Sequence, residues 1–121
     1  MRFLKIILIA LIVVALAFTV AFAAGNVAKG KALFNDQKFG DGTSGKSCNT
    51  CHPNGQGLEK AGAKKEFNIM GQKQNSLEAA VNFCIVNPLK GKAIDIKSKQ
   101  MTDIVAYIKS LKTIKKKAAG Y

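Results

Sequence analysis

The chain has 121 residues and a formal net charge of +12, from 19 Lys and Arg against seven Asp and Glu; it holds three cysteines, one histidine and no tryptophan. That length allows one small domain around one core. An odd number of cysteines excludes a framework made of disulfide pairs alone, and a lone histidine without a Ser/His/Asp set or paired carboxylates leaves hydrolytic chemistry without a site.

In chain order, Met1 to Lys5 is short and basic, Ile6 to Phe18 is apolar throughout, and Ala21-Phe22-Ala23 supplies small residues. That succession predicts a secretory signal peptide over residues 1–23. The alternative is an uncleaved membrane anchor over residues 6–24, a marginal length for a bilayer. Cleavage leaves a domain over 24–121, with a stub at 24–25 and a basic tail at 112–121, and a charge of +10 because the presequence holds two basic and no acidic residues. Such a surface attracts acidic partners and allows peripheral association with anionic membranes, both salt-dependent. Nucleic acid is not expected: the chain reads as exported, and its lysines are not interleaved with aromatics that would stack on bases.

"VAKGKALF", residues 27–34, reads as a short helix. Gly30 inside it costs about 1 kcal/mol relative to Ala, which makes sense where another backbone or a large ring comes close. Residues 40–47, "GDGTSGKS", and residues 53–65 read as glycine-bearing loops. Ser76 caps a helix through "LEAAVNFCI", with Leu77, Ala80, Val81 and Cys84 on one face. Asn87-Pro88 ends it, and "LKGKAID" connects onward. Ser98 then caps the longest pattern, in which Met101, Ile104, Val105, Ile108 and Leu111 share a face and Lys97, Lys99 and Lys109 lie off it. Past Leu111, "KTIKKKAAGY" puts positive charge at a helix C-terminus, where the dipole favours it. No segment alternates as a strand, so an all-α single domain with long loops is expected.

Residues 48–52, "CNTCH", hold two of the three cysteines and the only histidine. Two thiols three positions apart can form thioethers to the two vinyl groups of one porphyrin, and the adjacent imidazole can reach its iron, so Cys48, Cys51 and His52 read as an attachment site for one haem c. Asn49 and Thr50 read as spacers. A zinc site would need four ligands from Cys48, Cys51, His52 and Cys84, two of them adjacent. A dithiol oxidoreductase would place Cys-x-x-Cys at a helix start after a strand, and a plain disulfide would not require the histidine.

From Val27 to Leu111 the chain resembles a small class I cytochrome c. "AKGKALF" is similar to that family's first helix, "CNTCH" to its haem motif and "SKQMTDIVAYIKSL" to its last helix; Gly30 and Tyr107 match the positions where those helices cross. The resemblance implies a cytochrome c-like fold, covalent haem c, a periplasmic or extracytoplasmic setting and one-electron transfer. The family pattern also puts a methionine in the loop before the last helix, and "NPLKGKAID" has none. The second axial ligand is therefore open among Met101, Met70, Cys84, a weak ligand such as Asn82, or none. "LEAAVNFCIVNPLKGKAIDIKSKQM" resembles the distal segment of cytochromes c linked to sulfur oxidation, in which a cysteine of this helix coordinates the iron.

Ile69, Leu77, Val81, Ile94, Ile104 and Ile108 are candidates to line the porphyrin pocket. Lys46, Lys73, Lys90 and Lys92 are candidates to steer acidic redox proteins towards its edge. Three functions follow: an exported one-electron carrier; a haem protein that binds ligands or serves as the haem subunit of a sulfur-metabolising enzyme; and a basic exported binding module without redox chemistry.

Overall fold

A computed structural model of the chain describes residues 1–3, 6–7, 24–118 and 120. Most of the expected signal peptide lies outside the described residues, and no described helix is long and apolar enough to cross a membrane.

Helix α1 spans Val27–Asn35, and the Asn26 side chain caps it by accepting from the Lys29 N–H at 2.9 Å. Helix α2 is a single turn, Cys48–Cys51; α3 runs Leu77–Val86 and α4 runs Lys99–Ala118. Ser76 and Ser98 cap α3 and α4, accepting from Ala79 N–H at 3.0 Å and Met101 N–H at 3.2 Å. The apolar stripe expected on the last helix is buried in full: Met101, Ile104, Val105, Ile108 and Leu111 join Phe34, Phe39, Leu77, Val81, Ile85 and Leu89 in one core. On α3 the stripe is slightly turned. Ile85 is fully buried, whereas Cys84 is only half-buried.

Helices α1 and α4 touch backbone to backbone. A Cβ on Gly30 would run into the Asp103 carbonyl and come within 2.8 Å of the Tyr107 Cβ, and one on Gly25 would come within 2.9 Å of the Ala106 Cβ. The absent side chain thus explains the helix-weakening glycine at position 30. Phe34 and Tyr107 meet edge to face beside it, with ring centroids 5.1 Å apart.

Asp103, 3% exposed, ties the crossing together. It accepts from the Asn26 N–H at 2.6 Å and pairs with Lys99. Burial pushes the Asp103 carboxyl up, but the Asn26 N–H, the Lys99 ammonium and the charge of Lys29 outweigh it and hold the pKa below the usual value.

One expectation is corrected. Residues Phe67–Ile69 (β1) and Gln72–Gln74 (β2) pair as an antiparallel hairpin, with Phe67 opposite Gln74 and Ile69 opposite Gln72. Met70 (φ 52°) and Gly71 (φ 78°) form its two-residue turn, both left-handed as a type I′ turn requires. Strands of three residues are too short to show alternation, and methionine replaces the Asn or Asp that normally marks such a turn. The hairpin is small, and the fold remains predominantly helical around one core.

The segment after α3 is sewn down on two sides. Leu89 N–H donates to Cys84 O at 3.2 Å and Gly91 N–H to Ile85 O at 2.9 Å, while Thr43 and Ser44 N–H donate to Leu89 O at 3.0 and 3.1 Å. The Asn82 side chain closes two bonds with the Ile94 backbone, donating to its carbonyl and accepting from its N–H, each at 2.9 Å.

Gly30→Ala gains about 1 kcal/mol of helix propensity but forces two backbones apart at a cost of about 1–3 kcal/mol or more. A lower urea midpoint with an unchanged slope is the expected result; an unchanged midpoint would remove the crossing from this account. Because Asp103 has a depressed folded pKa, its contribution is present above the unfolded value of about 3.9 and is lost as pH falls through the folded one. Asp103→Asn should therefore flatten the acid limb of the stability–pH curve.

Candidate functional site

The CNTCH turn is held in shape by its spacers. Thr50 Oγ1 accepts from the Ser47 N–H at 3.0 Å, and Asn49 Oδ1 accepts from the Asn54 N–H at 2.8 Å. Asn49 and Thr50 therefore do more than fill the gap between the cysteines. The Ser-x-x-Thr spacing, a relative of the capping box, was a signal for Thr50; the bond from Asn49 spans a loop whose course the sequence does not show.

Cys48 packs against the core, Cys51 is exposed, and His52 is half-buried. The His52 N–H donates to Cys48 O at 2.9 Å, closing the turn. His52 Nδ1 lies 3.0 Å from Gln56 O. A carbonyl oxygen only accepts, so Nδ1 carries the proton and the Nε2 lone pair is left for a metal. The loop that supplies this carbonyl is backed by α4: Gly55 is buried against Leu111, where a Cβ would meet the Leu111 side chain.

Burial pushes the Cys48 thiol up to about 12, and negative charge on Cys84 and then on Cys51 adds to the effect. The Cys84 thiol is also raised, first by burial and then by Cys51. Cys84 comes from α3, whereas Cys48 and Cys51 share the single turn of α2.

The other candidates for the second axial position lie elsewhere. Met101 is fully buried in the core, and Met70 is 77% exposed at the hairpin tip. Both polar atoms of Asn82 are engaged by Ile94. Among the described residues no group of three or more His, Cys, Asp and Glu side chains is arranged to hold a bare metal ion, which weighs against the zinc alternative.

Of the expected pocket-lining residues, Leu77, Val81, Ile104 and Ile108 belong to the buried core. Ile94 packs on its edge together with Leu58 and Phe67, and Ile69 is half-buried on β1. The expected steering lysines are partly committed: Lys73 pairs with Glu66 at 2.8 Å and Lys92 with Asp41 at 3.4 Å.

This donor set fits a covalently held haem. It has two thiols on one helical turn, the first of them packed against the apolar core, and an imidazole with its tautomer fixed. The model of the SoxA/TsdA cytochrome c domain family matches residues 29–113, and the chain belongs to that family. It is a small c-type cytochrome related to those of sulfur oxidation, carrying covalent haem c in an electron-transfer role. That assignment excludes the reading as a binding module without redox chemistry. Searches of curated proteins and of solved structures gave no significant match.

In the haem-free protein at pH 8, iodoacetamide should modify exposed Cys51 first. Cys48, buried and with little thiolate at a pKa of about 12, should react at least about tenfold more slowly. Peptide mass mapping over time reads the order, and equal rates would contradict the burial described.

Proposed function

We propose that the protein is an exported monohaem electron carrier in which Cys48 and Cys51 would hold the porphyrin, and His52 Nε2 and the Cys84 thiolate would hold its iron. The bound haem c supplies a one-electron ferric/ferrous couple.

The observation that carries the ligand assignment is the placement of Cys84, which is half-buried on α3, neither sealed in the core nor fully exposed. A half-buried thiol with a raised pKa stays protonated in the chain alone. A coordinated cation reverses this, because metal ligation deprotonates a thiol outright. Exposure of Met70 and core packing of Met101 support the same choice. So does the family relation, since the segment around Cys84 resembles the distal segment of the sulfur-linked cytochromes.

Each side chain has a separate task. The Gln56 carbonyl orients His52 and makes its imidazole a better donor, as an acceptor behind a ligating histidine does. The Asn82 bonds hold the segment after α3 against that helix. An anionic sulfur ligand favours ferric iron and lowers the reduction potential; apolar surroundings work in the opposite direction by disfavouring net charge. The balance places this carrier at lower potential than a His/Met cytochrome with equal burial. Acidic redox proteins are the partners its charge suits, through weak and rapid encounters.

A second reading, a haem subunit of a sulfur-metabolising enzyme, is favoured by the family itself and shares the same ligands.

Absorption and electron paramagnetic resonance spectra of the oxidised protein test the assignment. Low-spin ferric features of thiolate ligation should be present and should vanish in Cys84→Ser, while both thioethers persist by mass. A methionine–iron charge-transfer band near the red end of the spectrum, unaffected by Cys84→Ser, would assign the position to a methionine instead.

A further inference from the structure

Positive charge is unevenly spread over this chain. Segments 59–65 and 109–117 together hold eight lysines and one carboxylate, a formal +7, which leaves +5 on the other 105 residues. The two segments are distant in sequence and adjacent in the fold. The turn Ala61–Ala63 lies against α4 so closely that a Cβ on Gly62 would come within 2.9 Å of Lys109 Cγ. Glu59, the one carboxylate, is already paired with Lys115.

Lys60, Lys64 and Lys65 flank that turn, and all are exposed. Lys109, Lys112 and Lys116 follow at intervals of three and four and so share one side of α4, the side on which Gly62 meets Lys109. Leu111 is the last buried residue of the helix. Lys112–Ala118 therefore stands beyond the core, and Ile114 within it is 54% exposed. One or two lysines would serve the helix dipole. Six of the eight, Lys60, Lys64, Lys65, Lys109, Lys112 and Lys116, gathered around one contact repel one another within a screening length of about 10 Å, a cost that nothing in the core requires.

We propose that this face docks the protein on anionic phospholipid bilayers, its ammonium groups against headgroup phosphates. The residue types favour a lipid surface over an acidic protein. The two segments contain no Arg, Trp or Tyr, the residues that anchor specific protein interfaces, and lysine is depleted from the cores of such interfaces. Lysine clusters on a helix suit a diffuse layer of phosphates, which demands no fixed geometry. The CNTCH turn, the hairpin and α3 contribute no residue to the face. Docking there is independent of the iron's ligands and of the identity of the redox partner.

The test uses the haem-loaded protein as recovered after export, mixed in about 0.1 M salt with vesicles of phosphatidylglycerol and phosphatidylcholine, or of phosphatidylcholine alone, and sedimented. Binding should require phosphatidylglycerol and reverse at high salt. Each lysine near such a surface is worth about fivefold in partitioning, so the triple variant Lys64→Gln, Lys112→Gln, Lys116→Gln should lose about a hundredfold. A control of equal charge, Lys31→Gln, Lys38→Gln, Lys90→Gln, should stay within about threefold of the parent, because long-range attraction alone is screened. Equal losses in the two triple variants would overturn the proposal, as would equal binding to both vesicle types. It would also fall if vesicles failed to bind while a polyglutamate resin retained the parent and released the first triple variant, a result that would assign the face to an acidic protein.

Discussion

The position of His52 depends on the close approach of other backbone segments to α4. At one end, α1 lies on that helix where Gly25 and Gly30 have no side chain to hold the two apart. Further along, the loop after the haem motif rests on Leu111 through Gly55. Leu111 thus supports the segment whose Gln56 carbonyl fixes the imidazole tautomer. A displacement of α4 would move that carbonyl as well as loosen the core, so packing and ligand orientation are one constraint here rather than two.

Helix α3 is placed differently. Helix α3 faces the core with Leu77, Val81 and Ile85, and leaves Cys84 half-buried at the margin of that face. A sulfur placed wholly in the core would have neighbours on every side. The stripe turns just enough for Ile85 to take the central position. How far the cysteine is covered is therefore a matter of which residue the helix rotation puts at the centre.

Much of this was legible in the residues. The five-residue stripe on α4, the serine caps and the proline stop after α3 each follow from local chemistry, and CNTCH carries its function in its spacing. The hairpin was not legible, because its strands are only three residues long and Met70 adopts a backbone conformation usually left to Asn, Asp or Gly. The work done by Asn49 and Asn82 was hidden for another reason. Their partners, Asn54 N–H and the Ile94 backbone, are set by loop paths that no periodicity encodes. The gathering of the lysines was hidden too, since composition gives the total charge but only the contact of Gly62 with Lys109 brings residues 60–65 and 109–117 to one place.

The sewing of residues 87–94 bears on speed. When an electron arrives, surrounding dipoles must readjust, and that nuclear readjustment is a large part of the barrier to transfer. Backbone groups of Leu89, Gly91 and Ile94 are each committed to a fixed partner, so little is left there to swing. Prior orientation of this kind removes the work of rearrangement from the moment of transfer.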